Sequence, residues 1–266
     1  MSCGARPLQG VGKSFFCDVG QGDAALIRSQ GKTILIDLRP ESEKLSHCLK
    51  KARVSSLDAV FLSHFDADHG GGVLALREIP VGQLVVSGFR DDRPLVELVG
   101  KVAESKGVEI TVGFEGMSGN LGSLQWKILA PTATATEASD SNDASLVLLV
   151  ENRDFSILFL GDLGEAGQER LLARNPRVIA ELAPKTLVTK VAHHGSADQS
   201  RRCYRVLDSE YLVFSVGKND YGHPANSALS LAWLSGAVVL RTDQIGHIAM
   251  GHDQELRYRY SSKLTA

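Results

Sequence analysis

The most informative segment of the sequence is His64-Phe65-Asp66-Ala67-Asp68-His69-Gly70-Gly71-Gly72. It places four candidate metal ligands within six residues, directly after an apolar run at 57–63 that is typical of a buried strand. Imidazole and carboxylate groups suit divalent first-row metals, and glycines let the backbone approach bound ions closely. An acidic turn with two incidental histidines is the alternative, but it does not account for the buried strand and triple glycine on either side. The segment therefore predicts a metal site at the end of a strand.

The pattern on both sides of this segment predicts alternating strands and helices. Period-2 alternation and turn residues predict strands at 14–19, 24–28, 33–37, 57–63, 84–87, 108–112, 124–129, 145–151, 156–160, 186–191, 211–215, 238–241 and 246–250. Helical patterns predict helices at 41–53, from 70 to 77, and at 94–105, 165–173 and 227–234. Two strand-rich halves with helices outside predict an α/β fold, an αββα sandwich. We expect one domain over 1–266, with 1–13 loosely ordered and 131–142 an exposed loop.

The overall composition excludes several classes of protein. The 29 basic and 31 acidic residues give a net charge of -2, so no global field attracts nucleic acid or an anionic membrane. The four cysteines form no C-x-x-C pair, which favours buried thiols over a disulfide framework or zinc cluster. Without an apolar run of signal-peptide or membrane-span length, we expect a soluble, cytoplasmic chain with no membrane contact of its own, or an extracytoplasmic one if it is excised from a larger protein. The oligomeric state is left open.

Further candidate residues follow other apolar strands. Asp162 comes after the strand at 156–160, where a carboxylate can reach two cations; an ordinary turn aspartate is the alternative. His193 and His194 follow the strand at 186–191, so one can bind metal and the other donate a proton or contact phosphate, unless both are buried structural histidines. His223 lies in a turn-rich loop and either reaches a substrate oxygen or is a surface histidine. The strand-end residues Asp18, Asp23 and Asp37 either orient ligand histidines or cap turns.

Several motifs occur in a fixed order along the chain: FCDVGQGDA at 16–24, ILID at 34–37, HFDADH at 64–69, NDASLV at 142–147, LGD at 160–162, VAHHGS at 191–196 and YGHP at 221–224. The string resembles the metallo-β-lactamase superfamily, in particular the β-lactamase-like domain of the ComEC/Rec2 DNA-internalisation proteins and the related phosphorylcholine esterases. The likeness extends from about residue 14 to about residue 250, and several ordered motifs together are far more specific than one.

The resemblance implies a site with two divalent metal ions, zinc or manganese. It assigns the metal ligands as His64, Asp66, Asp68, His69, Asp162 and His194, with Asp162 bridging the two ions. It implies catalytic roles for Asp68, His193 and His223, and substrate contacts from Asn142, Ser145 and Ser196. The favoured substrate is DNA or another phosphodiester, with nuclease activity on one strand.

The sequence departs from the family pattern at three places. Asp66 stands where the family signature has a second histidine, and no histidine occurs between His69 and His193, where segment 142–145 takes the place of a further one. Both changes make the first metal site richer in oxygen, which favours manganese over zinc and leaves single-ion occupancy as an alternative. The third departure, Leu38-Arg39-Pro40, is expected to reshape the loop after Asp37.

Three functions remain open on these grounds. The first is hydrolysis of a phosphodiester by metal-activated water. The second is an esterase or lactonase acting on a small substrate, since the only local basic cluster is Arg201-Arg202 with Arg205. The third is a non-catalytic binding domain with an incomplete metal site.

Overall fold

The computed structural model describes residues 13–89, 92–134, 138–153, 155–253 and 255–260, with side chains up to residue 251. Within these ranges the strands are β1 Lys13–Phe16, β2 Ala25–Ser29, β3 Lys32–Ile36, β4 Ala59–Leu62, β5 Leu84–Ser87, β6 Ile110–Gly113, β7 Ser118–Leu121, β8 Leu124–Ala130, β9 Val147–Glu151, β10 Phe155–Phe159, β11 Thr186–Lys190, β12 Tyr211–Phe214, β13 Val238–Arg241, β14 Ile248–Asp253 and β15 Glu255–Tyr260.

The described helices lie mostly between parallel strands. They are α1 Ser42–Lys51, α2 Ala67–Gly70, α3 Pro94–Lys106, α4 Glu165–Arg174, α5 Pro176–Leu182, α6 Arg201–Leu207, α7 Asn226–Leu234 and α8 Thr242–Ile245, with 3-10 helices at Gly71–Glu78 and Ala192–Gly195. None of them has the length and apolar character needed to cross a membrane.

The strands form two mixed sheets that pack face to face. The first has the order β15-β14-β1-β2-β3-β4-β5-β6, and the second has the order β13-β12-β11-β10-β9-β8-β7. Inward side chains of both, such as Phe61 and Ile157, form one core between the sheets. A second core lies between the first sheet and α1 and α3, and a third between the other sheet and α4 to α7. The predicted αββα sandwich is confirmed.

Burial of both sheet faces accounts for the strand sequences. All residues of β4, β9 and β10 are buried, so these strands read as continuous apolar runs rather than as alternating ones. The edge strand β7 is polar and contains Gly119, and for that reason it has no period-2 signal and was not predicted. Helix α5 was also not predicted, although Pro176 at its first turn is a typical start signal.

The cysteine prediction was wrong for two residues. Cys17, directly after β1, forms a disulfide with Cys48 of α1, and both are fully buried. The two positions are 31 residues apart in sequence, and their Cα atoms are 6.1 Å apart. Spacing alone gave no indication of this pair, because the helix brings Cys48 under the sheet only in the folded chain. Cys203 is a free, buried thiol as expected.

Two predictions about irregular segments fall partly outside the described residues. Lys13 opens β1 and is therefore ordered, whereas 1–12 lie outside. The loop at 131–142 connects β8 to the segment before β9, and its residues 135–137 also lie outside.

The topology brings the carboxyl ends of two groups of parallel strands together. Strands β3, β4 and β5 run parallel in the first sheet, and β10, β11 and β12 run parallel in the second. The loops that leave these strands meet at one edge of the sandwich. Sites of α/β proteins commonly lie outside the carboxyl ends of parallel strands.

Candidate metal centre

Four side chains from three loops converge at this edge. His69 and Asp68 follow β4, Asp162 follows β10, and His194 follows β11. His69 Nε2 lies 3.1 Å from Asp162 Oδ1 and 3.3 Å from His194 Nε2. His194 Nε2 lies 3.1 Å from Asp68 Oδ2 and 3.5 Å from Asp162 Oδ2. The four groups therefore point toward one small space.

The opposite ring nitrogens are held by other parts of the protein. His69 Nδ1 is 2.9 Å from Asp37 Oδ2, and His194 Nδ1 donates to the Ser215 carbonyl oxygen at 2.9 Å. His64 Nδ1 lies 3.0 Å from Ser63 Oγ. Metal-binding histidines usually have this arrangement, in which a partner on one nitrogen orients the other toward the ion.

His64 extends the cluster on one side. Its ring centroid lies 4.2 Å from that of His69, and its Nε2 is buried with no hydrogen-bond partner in the described part of the chain. Burial and the neighbouring His69 lower the pKa of His64 to about 4, so its ring is neutral at pH 7. A buried ring nitrogen without a partner carries a desolvation penalty that a bound cation would remove.

Asp66 lies beside His64 but is held by other groups. Its Oδ1 is 3.9 Å from His64 Nε2 and accepts hydrogen bonds from Arg93 and, at 2.7 Å, from Ser141. Burial raises the pKa of Asp66, but Ser141, His64 and Arg93 together outweigh burial, so the pKa lies below its usual value. Arg93 thus neutralises the carboxylate that replaces the family's second histidine.

The charges of the cluster are those of a cation site. Burial opposes protonation of His194, but Asp162 and Asp23 raise its pKa to about 9. Asp162 and Asp37 likewise outweigh burial and raise the pKa of His69 well above its usual value. The carboxylates around these two rings therefore favour the positively charged form of each imidazole. A divalent cation held by these residues would bind the imidazoles in their neutral form and would supply the positive charge beside Asp162.

A buried lysine stands behind the cluster. Lys190, the last residue of β11, is 2% exposed, and its ammonium contacts the Asp23 carboxylate and lies 3.5 Å from Asp162 Oδ1. It also donates to the Gly161 carbonyl oxygen at 3.1 Å. Burial lowers the pKa of Lys190, but the charges of Asp23 and Asp162 outweigh this effect and raise the pKa above its usual value. The ammonium therefore stays charged.

Asp23 belongs to the same group of residues. Asp23, His69, Asp162 and His194 each offer a ligand atom within 4.8 Å of the others. The Asp23 oxygens, however, face the Nδ1 atoms, at 3.4 Å from His194 and 3.8 Å from His69. Asp23 is therefore better placed to orient the two histidine rings, as its strand-end position suggested, than to bind a metal ion together with their Nε2 atoms.

His193 and His223 lie on the solvent side of the cluster. His193 Nε2 is 3.8 Å from Asp162 Oδ2, and the side chain is 30% exposed. The His223 ring packs edge-on against His193 at 5.1 Å between centroids. Burial and the neighbouring His193 lower the pKa of His223. His193 and His194 have φ values of 48° and 52°, and this left-handed backbone turns their rings in different directions.

The three positions with predicted substrate contacts differ in exposure. Ser145 is fully buried, and its Oγ accepts from the Asp162 backbone N–H at 3.0 Å. Ser196 is 5% exposed, and its Oγ accepts from Gln199 Nε2 at 3.3 Å. Asn142 is half-buried, and its Oδ1 has no partner among the described residues. Their contacts with a substrate stay predictions.

The glycines after His69 serve the packing of the ligand loop. A Cβ on Gly72 would lie 2.0 Å from the Leu38 carbonyl oxygen, and one on Gly71 would lie 2.6 Å from that of Pro40. The close backbone approach therefore joins this segment to the 38–40 loop, next to Asp37. Glycine at these two positions lets the loops carrying His69 and Asp37 pack together.

Three residues that support the cluster were not predicted from the sequence: Lys190, Arg93 and Ser215. Lys190 did carry a signal, because it is the one charged residue in the run from Leu187 to Ala192. A lysine is almost never buried without a partner, so its position predicted a carboxylate nearby. Arg93 and the Ser215 backbone carbonyl have no comparable signal, since only the tertiary fold brings them to the cluster.

The residues present fit a divalent metal centre. Two imidazole Nε2 atoms and the carboxylates of Asp68 and Asp162 form a donor set that suits zinc, manganese or iron. The unpartnered His64 Nε2 beside them supports a second position. The chemistry of the donors leaves the identity of the ion open.

Comparisons with known proteins agree with this description. A profile of the metallo-beta-lactamase superfamily matches residues 17–216. The chain is 30% identical to ComE operon protein 3 of Bacillus subtilis over 97% of its own length and 34% of that protein. It is 29% identical to competence protein ComA of Neisseria gonorrhoeae over 88% of its length and 31% of the relative. The chain thus spans about a third of the length of these curated relatives.

The fold has matches among solved structures. The metallo-beta-lactamase fold protein YhfI from Bacillus subtilis superimposes with a TM-score of 0.59, covering 90% of this chain and 98% of YhfI. The sequence identity of 13% means that this likeness concerns the fold alone. The profile match, the similarity to the two curated relatives and the shared sandwich lead to one conclusion. The chain belongs to the metallo-beta-lactamase superfamily.

Proposed function

We propose that the chain is a divalent-metal-dependent phosphodiesterase that cleaves DNA. The observation that carries the proposal is the convergence of His69, His194, Asp68 and Asp162 with their supporting hydrogen bonds already in place. Similarity to a relative named as a competence protein supports DNA as the substrate. Bound divalent ions would supply an activated water and neutralise charge that develops on the phosphate oxygens.

The residues of the chain would divide the remaining work. Asp68 is partly exposed; burial raises its pKa, but the hydrogen bond with His194 and the charge of His69 lower it to about 2. It is therefore a carboxylate that can accept a hydrogen bond from the attacking water. His193 faces the opening and would donate a proton to the leaving oxygen. His223 is neutral at pH 7 and would orient that oxygen or the His193 ring.

The test is an activity panel run on the purified chain with manganese and with zinc. The substrates are single-stranded DNA, duplex DNA, a chromogenic phosphodiester and a lactone. The proposal expects metal-dependent cleavage of the phosphodiesters that chelator abolishes, and no turnover of the lactone. Turnover of the lactone alone would replace the proposal with an esterase function, and inactivity on every substrate would favour a binding domain.

Manganese is expected to support faster phosphodiester cleavage than zinc. The reason is that Asp66 and the 142–145 segment supply oxygen where the family has histidines, and oxygen-rich sites favour harder ions. Asp66→His should narrow the difference, whereas Asp66→Asn, which keeps an oxygen donor, should not. Initial rates measured over a range of each metal give the comparison. Faster cleavage with zinc in the wild type would contradict this account.

His193→Ala and His194→Ala are expected to fail in different ways. His194→Ala should lose metal, because its Nε2 lies between Asp68 and Asp162. His193→Ala should keep its metal while kcat falls by ~10²–10⁴, the usual contribution of a positioned proton donor. Metal content and single-turnover cleavage, measured side by side, separate the two. If only His193→Ala loses its metal, His193 is the metal ligand and His194 the proton donor.

A further inference from the structure

A row of three aromatic rings leads from the metal cluster to solvent. It begins with His193, whose Nε2 is 3.8 Å from Asp162 Oδ2, and continues to His223 at 5.1 Å between ring centroids. The last ring is Tyr221, 6.0 Å from His223 and tilted by 35° to it. Tyr221 is 77% exposed. A large planar surface is therefore open to solvent two rings away from the predicted proton donor.

The loop that carries Tyr221 is held by one side chain. Asn219 Oδ1 accepts from the backbone N–H of Tyr221 at 3.1 Å and from that of His223 at 3.0 Å. Asn219 Nδ2 donates to the carbonyl oxygens of Gly217 at 2.8 Å and His223 at 2.7 Å. These four hydrogen bonds fix the backbone of the turn. The exposed ring thus stands on a preorganised support.

The same loop is fastened to the site at both ends. The Ala225 N–H donates to the Gly195 carbonyl oxygen at 2.7 Å, which joins it to the 3-10 helix that carries His193. The Gly217 N–H donates to Gln21 Oε1 at 3.5 Å, which joins it to the turn before Asp23. The position of Tyr221 relative to the metal cluster is therefore set by the fold.

We propose that Tyr221 is a stacking platform for a base of single-stranded DNA whose phosphate lies at the metal cluster. The proposal rests on the proposed function and deepens it by naming the strand form that the site takes. Every nucleobase has a planar face, so an aromatic platform accepts any sequence. In a duplex these faces are already stacked on neighbouring bases, and only an unpaired base is free. Lys218 and Asp220, which precede Tyr221 in the loop, carry opposite charges, so the ring rather than a net charge is the distinctive feature of the loop.

The test measures binding of an oligonucleotide that carries the fluorescent base 2-aminopurine, using the full chain as purified and again with chelator. Tyr221→Leu is compared with Tyr221→Phe, which keeps a ring, and with Trp233→Leu, which removes another well-exposed aromatic ring, 65% exposed, on α7. Tyr221→Leu should bind roughly 5- to 150-fold more weakly, the loss that corresponds to one base–aromatic stack. Tyr221→Phe and Trp233→Leu should bind like the wild type.

Two further readouts separate stacking from other effects. The loss in Tyr221→Leu should not depend on salt, because stacking is uncharged while phosphate contacts weaken with salt. A strand with an abasic position in place of the fluorescent base should not distinguish the variants. Equal binding of wild type and Tyr221→Leu to the intact strand would overturn the proposal. If the strand binds through Tyr221 but no phosphodiester is ever cleaved, the stacking platform stands and the phosphodiesterase function fails.

Discussion

Asp162→Ala is expected to leave the purified protein with little of the metal that the wild type binds. Of the residues that the structure describes, Asp162 is the one carboxylate within 4 Å of His69, His193 and His194 together. Its Oδ2 still faces the cluster when its Oδ1 pairs with His69. Losing a group that only orients a ligand already costs about 10- to 100-fold in affinity, so losing this ligand should cost more than about 100-fold. Elemental analysis after exhaustive dialysis measures the content.

The matched control is Asp58→Ala. Asp58 also accepts two hydrogen bonds, from Lys32 Nζ at 2.8 Å and from the Thr33 N–H at 2.7 Å, but it lies just before the start of β4, opposite to the metal cluster. The Asp58→Ala variant should therefore bind as much metal as the wild type. A wild-type amount of metal in Asp162→Ala, with a folded protein by circular dichroism, would exclude the bridging role.

Lys190→Met is expected to be among the most destabilising single changes in the metal-free protein. The methionine removes the ammonium in contact with Asp23, and leaves that buried carboxylate with the more distant His194 ring, at 3.4 Å, as its positive partner. Breaking a buried ion pair by removing one partner costs about 3–5 kcal/mol. Urea unfolding in the presence of chelator gives the free energy of unfolding. The double variant Asp23→Asn/Lys190→Met should recover a large part of the loss, because it removes the carboxylate charge that the ammonium compensates.

Lys185→Met is the comparison for this variant. Lys185 Nζ lies 2.6 Å from Glu151 Oε2, but its side chain is 18% exposed and Glu151 keeps a second partner in Lys127. Lys185→Met should therefore lower the free energy of unfolding by about 1 kcal/mol or less, as for ion pairs near the surface. If Lys190→Met unfolds at the same urea concentration as Lys185→Met, the ammonium does not stabilise the apo cluster.

The sequence predicted those parts of the site that lie next to a single strand. His64 to His69 follow an apolar run, and the same holds for Asp162 and for His193 and His194, so each segment could be assigned to a strand end by local pattern. Most strands were also predicted to within two or three residues, since buried strands and turn residues are local signals. The layered fold then followed from the order of elements.

What could not be predicted depends on contacts between distant segments. Arg93 reaches Asp66 from the start of α3, and Ser215 reaches His194 from the end of β12. The Cys17 and Cys48 pair is of the same kind, since neither cysteine has a local pattern that identifies its partner. Helix α6 shows a different limit: Ser200 caps it by accepting from the Cys203 N–H at 3.0 Å, but its arginines read as a basic cluster.

The left-handed backbone at His193 and His194 favours the geometry of the site but lowers the stability of the folded protein. Side chains with a Cβ avoid this region at a cost of roughly 1–2 kcal/mol per residue, and glycine would relieve that cost. The geometry that turns the His194 ring to the metal cluster and the His193 ring to solvent is thus maintained at the expense of the stability of the folded state. Selection for heat resistance alone would tend to erase both imidazoles from this turn, and their presence marks it as a place where function outweighed stability.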